Sequence, residues 1–240
     1  MFVFAMNPTA FPRLVVRHFP CPGYAKRRFR NFKRLLRPDG GSQDGFGIRA
    51  IEPGSSLFRS RAGYPDGMVL DVGCGIGKAE PGAIGIDYSP RSAADIIWNL
   101  DDFPWPLEND TFERIHMSHV IEHVRDVNRT MAEVHRVARN SADVLITTPH
   151  FSSHNSYTDP THVRHLAGRS FQYFTGEDFA TFTGANVRFS IESVELTFGK
   201  NLVLDGMGGW LARRNLEWYE RHAAWIFPAQ DIRCHLKVLK

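Results

Sequence analysis

The stretch VLDVGCGIG (residues 69–77) decides the fold, because an apolar strand-like run ends here in three glycines spaced two residues apart. A glycine-rich turn after a buried strand usually opens a helix and lets the backbone approach a cofactor closely. Only residues 78–82, KAEPG, separate this turn from the next strand-like run, AIGID (83–87). A parallel crossover usually takes about a dozen residues or more, so at most one helical turn fits here. The sequence therefore predicts a cofactor turn followed by a shortened crossover.

Further apolar runs predict the rest of an α/β sheet. The strand candidates are residues 68–73, 83–87, 94–100, 112–118 and 143–149. Runs that are apolar throughout suit strands covered on both faces, whereas the apolar spacing within 124–138 is that of a helix. The pattern predicts an open, largely parallel sheet.

The C-terminal third has a different pattern. Residues 186–198 alternate imperfectly, with a slip near Ser193 that suggests a bulge, and residues 210–225 are helix-like. Residues 231–239, DIRCHLKVL, alternate strictly between apolar and polar side chains. Strict alternation is typical of an antiparallel strand with one wetter face, so we expect the last strand to run antiparallel.

The N-terminal quarter is rich in proline and glycine and is interpreted as an extension (1–65) ahead of one domain (66–240). Within it, residues 26–37, KRRFRNFKRLLR, hold seven of the chain's 29 Lys and Arg residues and no acid. Its apolar residues fall at helical spacing, which predicts a basic amphipathic helix. A solvated helix, an RNA-binding arm, an anionic membrane contact and a lid over a phosphate-bearing substrate all remain open.

Composition bounds the class of protein. A chain of 240 residues with 42% hydrophobic residues suits one compact domain with an appendage, and no apolar run approaches the roughly 20 residues of a membrane span. The first residues lack the charged and apolar regions of a secretory signal. Three widely spaced cysteines argue against a disulfide framework or a cysteine-rich zinc site. We therefore expect a cytoplasmic protein.

The glycine turn favours one cofactor class over another. A dinucleotide site wants GxGxxG, whereas residues 73–77 read GxGxG. Asp71 also places a carboxylate two residues before Gly73, where it would repel a pyrophosphate and attract an ammonium or sulfonium group. S-adenosylmethionine carries both of these cations, together with a carboxylate and a ribose diol.

At this point the chain resembles the class I S-adenosylmethionine-dependent methyltransferases, over roughly residues 66–160. The resemblance rests on VLDVGCGIG (69–77), GIDYSP (85–90) and the run from residue 99 to 124. It implies a Rossmann-like fold with a mostly parallel seven-stranded sheet and an antiparallel C-terminal strand, and S-adenosylmethionine as the cofactor. The cofactor-binding residues that we expect are Asp71, Gly73, Cys74, Gly75, Gly77, Lys78, Asp87, Tyr88, Asn99, Leu100 and Ser118.

The resemblance also assigns parts of the cofactor to residues. Asp71 would lie near the methionine amine, Asp87 would accept both ribose hydroxyls, and Asn99 with Leu100 would lie beside adenine. Ser118 and His119 would form the floor of the pocket. Because the first crossover is short, the usual helix N-terminus is weakened as a carboxylate site, and Lys78 is a candidate to replace part of its charge.

Two histidine-bearing segments follow predicted strands. The first, HVIEHV (119–124), has HxxEH spacing, which on a helix puts three metal-capable groups on one face, so a zinc hydrolase is a formal competitor. Within the methyltransferase pattern such pairs are usually structural, and no metal is assigned. The second segment (148–174) brings histidines and other charged residues together with small polar residues in one loop: His150, His154, Asp159, His162, Arg164 and His165. Such a loop is more often functional than structural, so we expect it to contact the substrate.

These observations predict a methyltransferase that acts on the hydroxyl of a small or medium acceptor, sugar-like or phosphorylated. Catalysis would come mainly from alignment, with His150 or His119 removing the hydroxyl proton. One alternative is an RNA methyltransferase that uses residues 26–37, and another is a cofactor-binding scaffold protein without turnover. The acceptor and the oligomeric state are not defined by the sequence.

Overall fold

The computed structural model describes residues 67–176, 187–199 and 203–240. The predicted N-terminal extension (1–65) and its basic segment (26–37) lie outside these residues, and the domain boundary at residue 66 stays a prediction. Within the described part of the chain, no helix combines the length and the apolar character needed to cross a bilayer.

The described residues form one sheet of seven strands. They are β1 (Val69–Val72), β2 (Ile84–Asp87), β3 (Ile96–Ile97), β4 (Phe112–Ser118), β5 (Ala138–Pro149), β6 (Arg188–Leu196) and β7 (Asp231–Leu239). Their order across the sheet is β3-β2-β1-β4-β5-β7-β6. The pairs from β3 to β5 are parallel, and β7 runs antiparallel to both of its neighbours. The predicted α/β fold with an antiparallel last strand is confirmed.

Short helices connect or flank these strands. They are α1 (Val127–Val137), α2 (Asn155–Thr158), a 3₁₀ helix (Gly168–Phe174), α3 (Leu204–Arg214) and α4 (Leu216–His222). Helix α1 begins where the Asp126 side chain accepts a hydrogen bond from Arg129 N. The prediction of a single helix over 210–225 is wrong, because the helical pattern is interrupted at Asn215. This residue has an extended backbone and caps α4 by accepting a hydrogen bond from Trp218 N. Asparagine favours caps because its side chain competes with helical hydrogen bonds.

The core lies on the central strands. Leu70, Ile115 and Val144 are fully buried. Burial of each such side chain stabilises the fold by about 1.5–3 kcal/mol relative to leaving it exposed. On β7 the apolar face predicted from alternation is buried, while His235 and Lys237 on the other face converge on the Asp143 carboxylate. The alternating sequence of β7 thus matches its two environments.

Strand boundaries differ from the prediction in two places. β3 has two residues instead of the seven expected over 94–100. β5 begins at Ala138, five residues early, through a polar stretch that carries no strand pattern but pairs with β4 across a bulge. The expected bulge in β6 is confirmed by a register shift between Ile191 and Ser193.

Candidate active site

The glycine turn after β1 packs closely against β2 and the segment after β4, and this close packing requires glycine. Gly73 has φ +68°, and a β-carbon there would lie 2.3 Å from Val120 Cγ2 in the segment after β4. Gly75 also has positive φ, at +57°. Gly73 N donates to Ile86 O at 2.7 Å, so the turn closes against β2. Side chains larger than hydrogen would strain both positions.

The crossover from β1 to β2 contains no helix over residues 73–83, as predicted. It folds as two turns, in which Gly77 N donates to Cys74 O and Ala83 N donates to Glu80 O. Lys78 Nζ pairs with Asp95 Oδ2 at 2.5 Å. The same carboxylate oxygen accepts from Gly85 N at 2.8 Å, so Lys78 has a structural partner. Its expected role toward the cofactor carboxylate stays a prediction.

Asp71 is buried beneath this crossover. Its Oδ2 accepts from Ala79 N at 2.6 Å, which ties the crossover to the end of β1. Burial raises the pKa of Asp71, and the hydrogen bond from Ala79 opposes that rise. Burial, together with the negative charge of Asp71, raises the pKa of the nearby Cys74 thiol to about 11. The thiol is therefore neutral at physiological pH and unsuited to nucleophilic chemistry.

Asp87 ends β2 and faces the glycine turn. Its Oδ2 accepts from Gly75 N at 2.9 Å and its Oδ1 accepts from Ser89 N at 2.8 Å. A carboxylate oxygen can accept about two hydrogen bonds, so each oxygen keeps capacity for one hydroxyl. Its expected role toward a ribose diol stays a prediction. The neighbouring Tyr88 side chain is exposed.

The segment after β3 forms a tight turn at the same edge of the sheet. Asn99 O accepts from Asp102 N at 2.9 Å, and the Asn99 side chain is exposed. Leu100 packs against the main core. Asp101 Oδ1 accepts from Arg125 N at 2.8 Å, which joins this turn to the segment after β4. The residues expected beside adenine therefore lie on a turn that is anchored to the next strand's loop.

The end of β4 brings Ser118 and His119 to the surface. His119 has φ +55°, an uncommon conformation for a residue with a side chain and one that often marks a functional position. Its ring is half exposed, and Nδ1 lies 3.4 Å from the Oε1 of the buried Glu122. Interaction with this carboxylate raises the pKa of His119.

His150 has a different environment from the one expected. It is completely buried, with Nδ1 2.7 Å from Ser152 Oγ and Nε2 3.4 Å from Glu220 Oε1. Glu220 Oε1 also accepts from Gly168 N at 2.7 Å, so the pair joins β5, the 3₁₀ helix and α4. Both ring nitrogens of His150 face protein atoms. Its proposed role as a base stays a prediction and would require Glu220 to move.

Two side-chain contacts in this region could not be predicted from any motif in the sequence. Glu220 approaches His150 from 70 residues away along the chain. His162 approaches Glu122 across the loop after β5, with Nε2 4.0 Å from Oε1. Neither Glu220 nor the pairing with His162 follows from a motif, because only the tertiary fold brings the segments together.

A strand, a GxGxG turn and an acid at the end of the second strand, in a seven-stranded sheet with a reversed β7, define a class I S-adenosylmethionine-dependent methyltransferase. The sequence model of the family described as "Methyltransferase domain" matches residues 49–185 of the 240. The chain belongs to this methyltransferase family. Its cofactor is S-adenosylmethionine.

Solved structures with a similar fold include several methyltransferases. An S-adenosylmethionine-dependent methyltransferase from Mesorhizobium loti is 16% identical, with a TM-score of 0.43, over 71% of this chain and 90% of that one. The YcgJ protein from Bacillus subtilis is 16% identical, with a TM-score of 0.48, over 74% and 93%. Phosphoethanolamine N-methyltransferase 2 from Haemonchus contortus, in complex with S-adenosyl-L-methionine, is 14% identical, with a TM-score of 0.42, over 73% and 49%. A search of curated proteins gave no match.

Proposed function

We propose that this methyltransferase transfers the methyl group of S-adenosylmethionine to the hydroxyl oxygen of a small or medium acceptor that is sugar-like or phosphorylated. The observation that carries the proposal is the placement of His119. Its half-exposed ring lies at the carboxyl end of β4, and Nδ1 faces the buried Glu122 carboxylate. In open α/β sheets, ligands bind beyond the carboxyl ends of the strands.

The geometry supports a direct displacement assisted by a histidine. Bound S-adenosylmethionine would supply the methyl group, and its sulfonium would leave as the thioether of S-adenosylhomocysteine when the acceptor oxygen attacks the methyl carbon. The hydroxyl proton passes to His119, whose Nδ1 is directed at Glu122, so that Nε2 is the nitrogen left for the acceptor. Alignment of the two substrates supplies most of the remaining rate enhancement.

A cavity between the segment after β4 and the loop after β5 is a candidate place for the acceptor. It has a volume of about 200 Å³ and is lined by residues that follow β4, such as Ile121 and Asp126, and by the loop after β5, including Arg164 and Leu166. Arg164 at the wall of this cavity donates to the Arg125 carbonyl through Nη2, so a phosphate or another anionic group would use its remaining N–H donors.

The remaining expectations are also proposals. Cys74 and Cys234 are free and buried, which supports a reducing compartment such as the cytoplasm. The RNA alternative depends on residues 26–37, which lie outside the described residues, and it stays a prediction. A scaffold role would be supported by tight binding of S-adenosylhomocysteine without methylation of any hydroxyl compound offered.

A His119→Asn variant tests the proposal. Asparagine tolerates the left-handed backbone at this position but cannot act as a base. Labelled S-adenosylmethionine and a panel of hydroxyl-bearing metabolites, read by mass spectrometry, should identify an acceptor that is methylated on oxygen. With that acceptor, turnover of the variant should fall about 100-fold or more, while S-adenosylhomocysteine affinity stays within twofold. Turnover within a few-fold of wild type would remove His119 from the mechanism, and methylation on nitrogen would remove the assigned acceptor class.

A further inference from the structure

Glu122, His123 and His162 form a cluster beside His119. One ligand-capable atom from each of the three lies within 4.8 Å of the other two. The His123 and His162 rings meet edge to face, with their centroids 4.6 Å apart. Val163 N donates to Glu122 O at 2.9 Å, which holds the loop after β5 against the segment after β4. Two distant segments thus bring two imidazoles and one carboxylate together.

The carboxylate of this cluster is incompletely satisfied. The Glu122 side chain is 2% exposed, and its Oε2 accepts from Thr148 Oγ1 at 3.0 Å. Oε1 is buried and accepts no hydrogen bond. Its nearest histidine nitrogens are His119 Nδ1 at 3.4 Å, which makes an electrostatic contact rather than a well-formed hydrogen bond, and His162 Nε2 at 4.0 Å. A buried carboxylate oxygen without a donor is costly, and its persistence points to a ligand.

The two histidines are already oriented for such a ligand. His162 Nδ1 lies 3.2 Å from Ser156 O. A carbonyl can only accept, so Nδ1 carries the proton and Nε2 keeps its lone pair on the side of Glu122. His123 Nδ1 is held by Thr161, 3.0 Å from Oγ1. Histidines that bind metals usually donate their other N–H to a carbonyl or a similar acceptor, which fixes the tautomer and the ring.

We propose that Glu122, His123 and His162 bind a divalent transition-metal ion such as zinc. Two imidazoles with one carboxylate favour such an ion over magnesium or calcium, which prefer all-oxygen sites. Tetrahedral zinc ligands lie roughly 3.3 Å apart. The 4.0 Å between His162 Nε2 and Glu122 Oε1 would therefore contract by roughly 0.7 Å, and ligand atoms as far apart as 4.8 Å would contract by up to roughly 1.5 Å. This assignment revises the expectation of no metal at HxxEH.

Three protein ligands leave at least one coordination position open, as in catalytic zinc sites. An acceptor hydroxyl in that position would lose its proton more readily, since a bound metal ion lowers the pKa of a coordinated oxygen. This effect on turnover rests on the proposed O-methylation. Metal binding itself does not, so it can be measured without any acceptor.

The test uses the full chain after treatment with a chelator and desalting. Addition of Co²⁺ alone should produce visible absorption bands that saturate at one equivalent, and Zn²⁺ should displace them. Glu122→Gln removes the carboxylate charge and keeps the size of the side chain, and His162→Asn removes one of the two imidazole ligands. Each should weaken Co²⁺ binding tenfold or more. His154→Ala is the matched control, because His154 lies in the same loop with an exposed side chain and is not one of the proposed ligands.

The outcomes separate the metal site from the proposed function. Failure of wild type to bind Co²⁺ or Zn²⁺, or equal binding by wild type and both ligand variants, would overturn the site. Equal weakening in His154→Ala would overturn it as well, since binding would then come from the loop in general. S-adenosylhomocysteine affinity and the melting temperature are measured on every variant, so that a folding defect is recognised. If one ligand variant is misfolded, the test rests on the other ligand variant.

Discussion

The proposed cofactor side of the site, with Asp71 and Asp87, and the proposed acceptor side, with Glu122 and His150, hold their polar groups by different means. On the cofactor side, Asp71 and Asp87 accept hydrogen bonds from backbone N–H groups, at most 12 residues away along the chain. On the acceptor side, Glu122 contacts Thr148, 26 residues away, and His150 contacts Glu220, 70 residues away. The cofactor side therefore uses backbone donors that are close in sequence, whereas the acceptor side uses side-chain partners that are distant in sequence.

This difference has consequences for how each side tolerates change. A backbone donor is present whatever residue supplies it, so the orientation of Asp87 depends mainly on the path of the glycine turn. A side-chain partner is lost with one substitution, and the group left behind is then buried without a partner. We therefore expect changes on the cofactor side to affect ligand binding, and changes on the acceptor side to affect stability as well.

The largest effect is expected for Asp87→Asn, which tests the cofactor side. Loss of the charge-assisted hydrogen bonds to the ribose should cost about 1.5–3 kcal/mol, or roughly 10- to 150-fold in S-adenosylhomocysteine affinity by calorimetry. NAD should not raise the melting temperature of the wild-type protein, whereas S-adenosylhomocysteine should.

Asp95→Asn provides a matched control for this variant. Asp95 also accepts a backbone hydrogen bond near the end of β2, from Gly85 N, but it is not among the expected cofactor residues. Its substitution should leave the affinity within about threefold. Unchanged affinity in Asp87→Asn, or an equal loss in both variants, would remove Asp87 from the ribose site.

The cofactor side was predictable from the sequence because its partners are local. The glycine turn, the shortened crossover over residues 78–82 and the position of Asp87 at the end of β2 all follow from one short stretch. The strands could be predicted from apolar runs and from alternation. A strand buried on both faces is apolar throughout, and a strand buried on one face alternates between apolar and polar residues.

The acceptor side was less predictable for the same physical reason. The burial of His150 depends on Glu220, and the orphaned oxygen of Glu122 depends on where the loop after β5 folds back. No spacing in the sequence encodes contacts between such distant segments. The break at Asn215 was missed because a cap signal inside a helical pattern is weak beside the aromatic residues around it.

The second prediction concerns His150→Ala on the acceptor side. Removal of the ring leaves Glu220 and Ser152 without their buried partner, so the free energy of unfolding should fall by about 1–3 kcal/mol in a urea titration. S-adenosylhomocysteine affinity should change little. His154→Ala is the control, because His154 is exposed in the same loop and should change stability by less than about 0.5 kcal/mol.

The result also decides between two roles for this histidine. Full stability together with a turnover about 100-fold below wild type would show that His150 acts as the base and that the buried conformation opens during the reaction. Loss of stability with turnover close to wild type, at a temperature where the variant is folded, would assign it to the packing of β5 against α4.

The smallest effect is expected for Lys78→Met, which asks whether the cofactor side uses any side-chain cation. Lys78 and Asp95 are partly exposed, so loss of their ion pair should lower the free energy of unfolding by less than about 1 kcal/mol. S-adenosylhomocysteine carries a carboxylate that 5′-methylthioadenosine lacks, and the ratio of their affinities therefore isolates that group. Because Lys78 already has a partner in Asp95, the ratio should be the same in wild type and variant. A selective loss of S-adenosylhomocysteine affinity in the variant would instead show that Lys78 leaves Asp95 to bind the cofactor carboxylate. The cofactor side would then also depend on a side-chain contact between distant residues, as the acceptor side does.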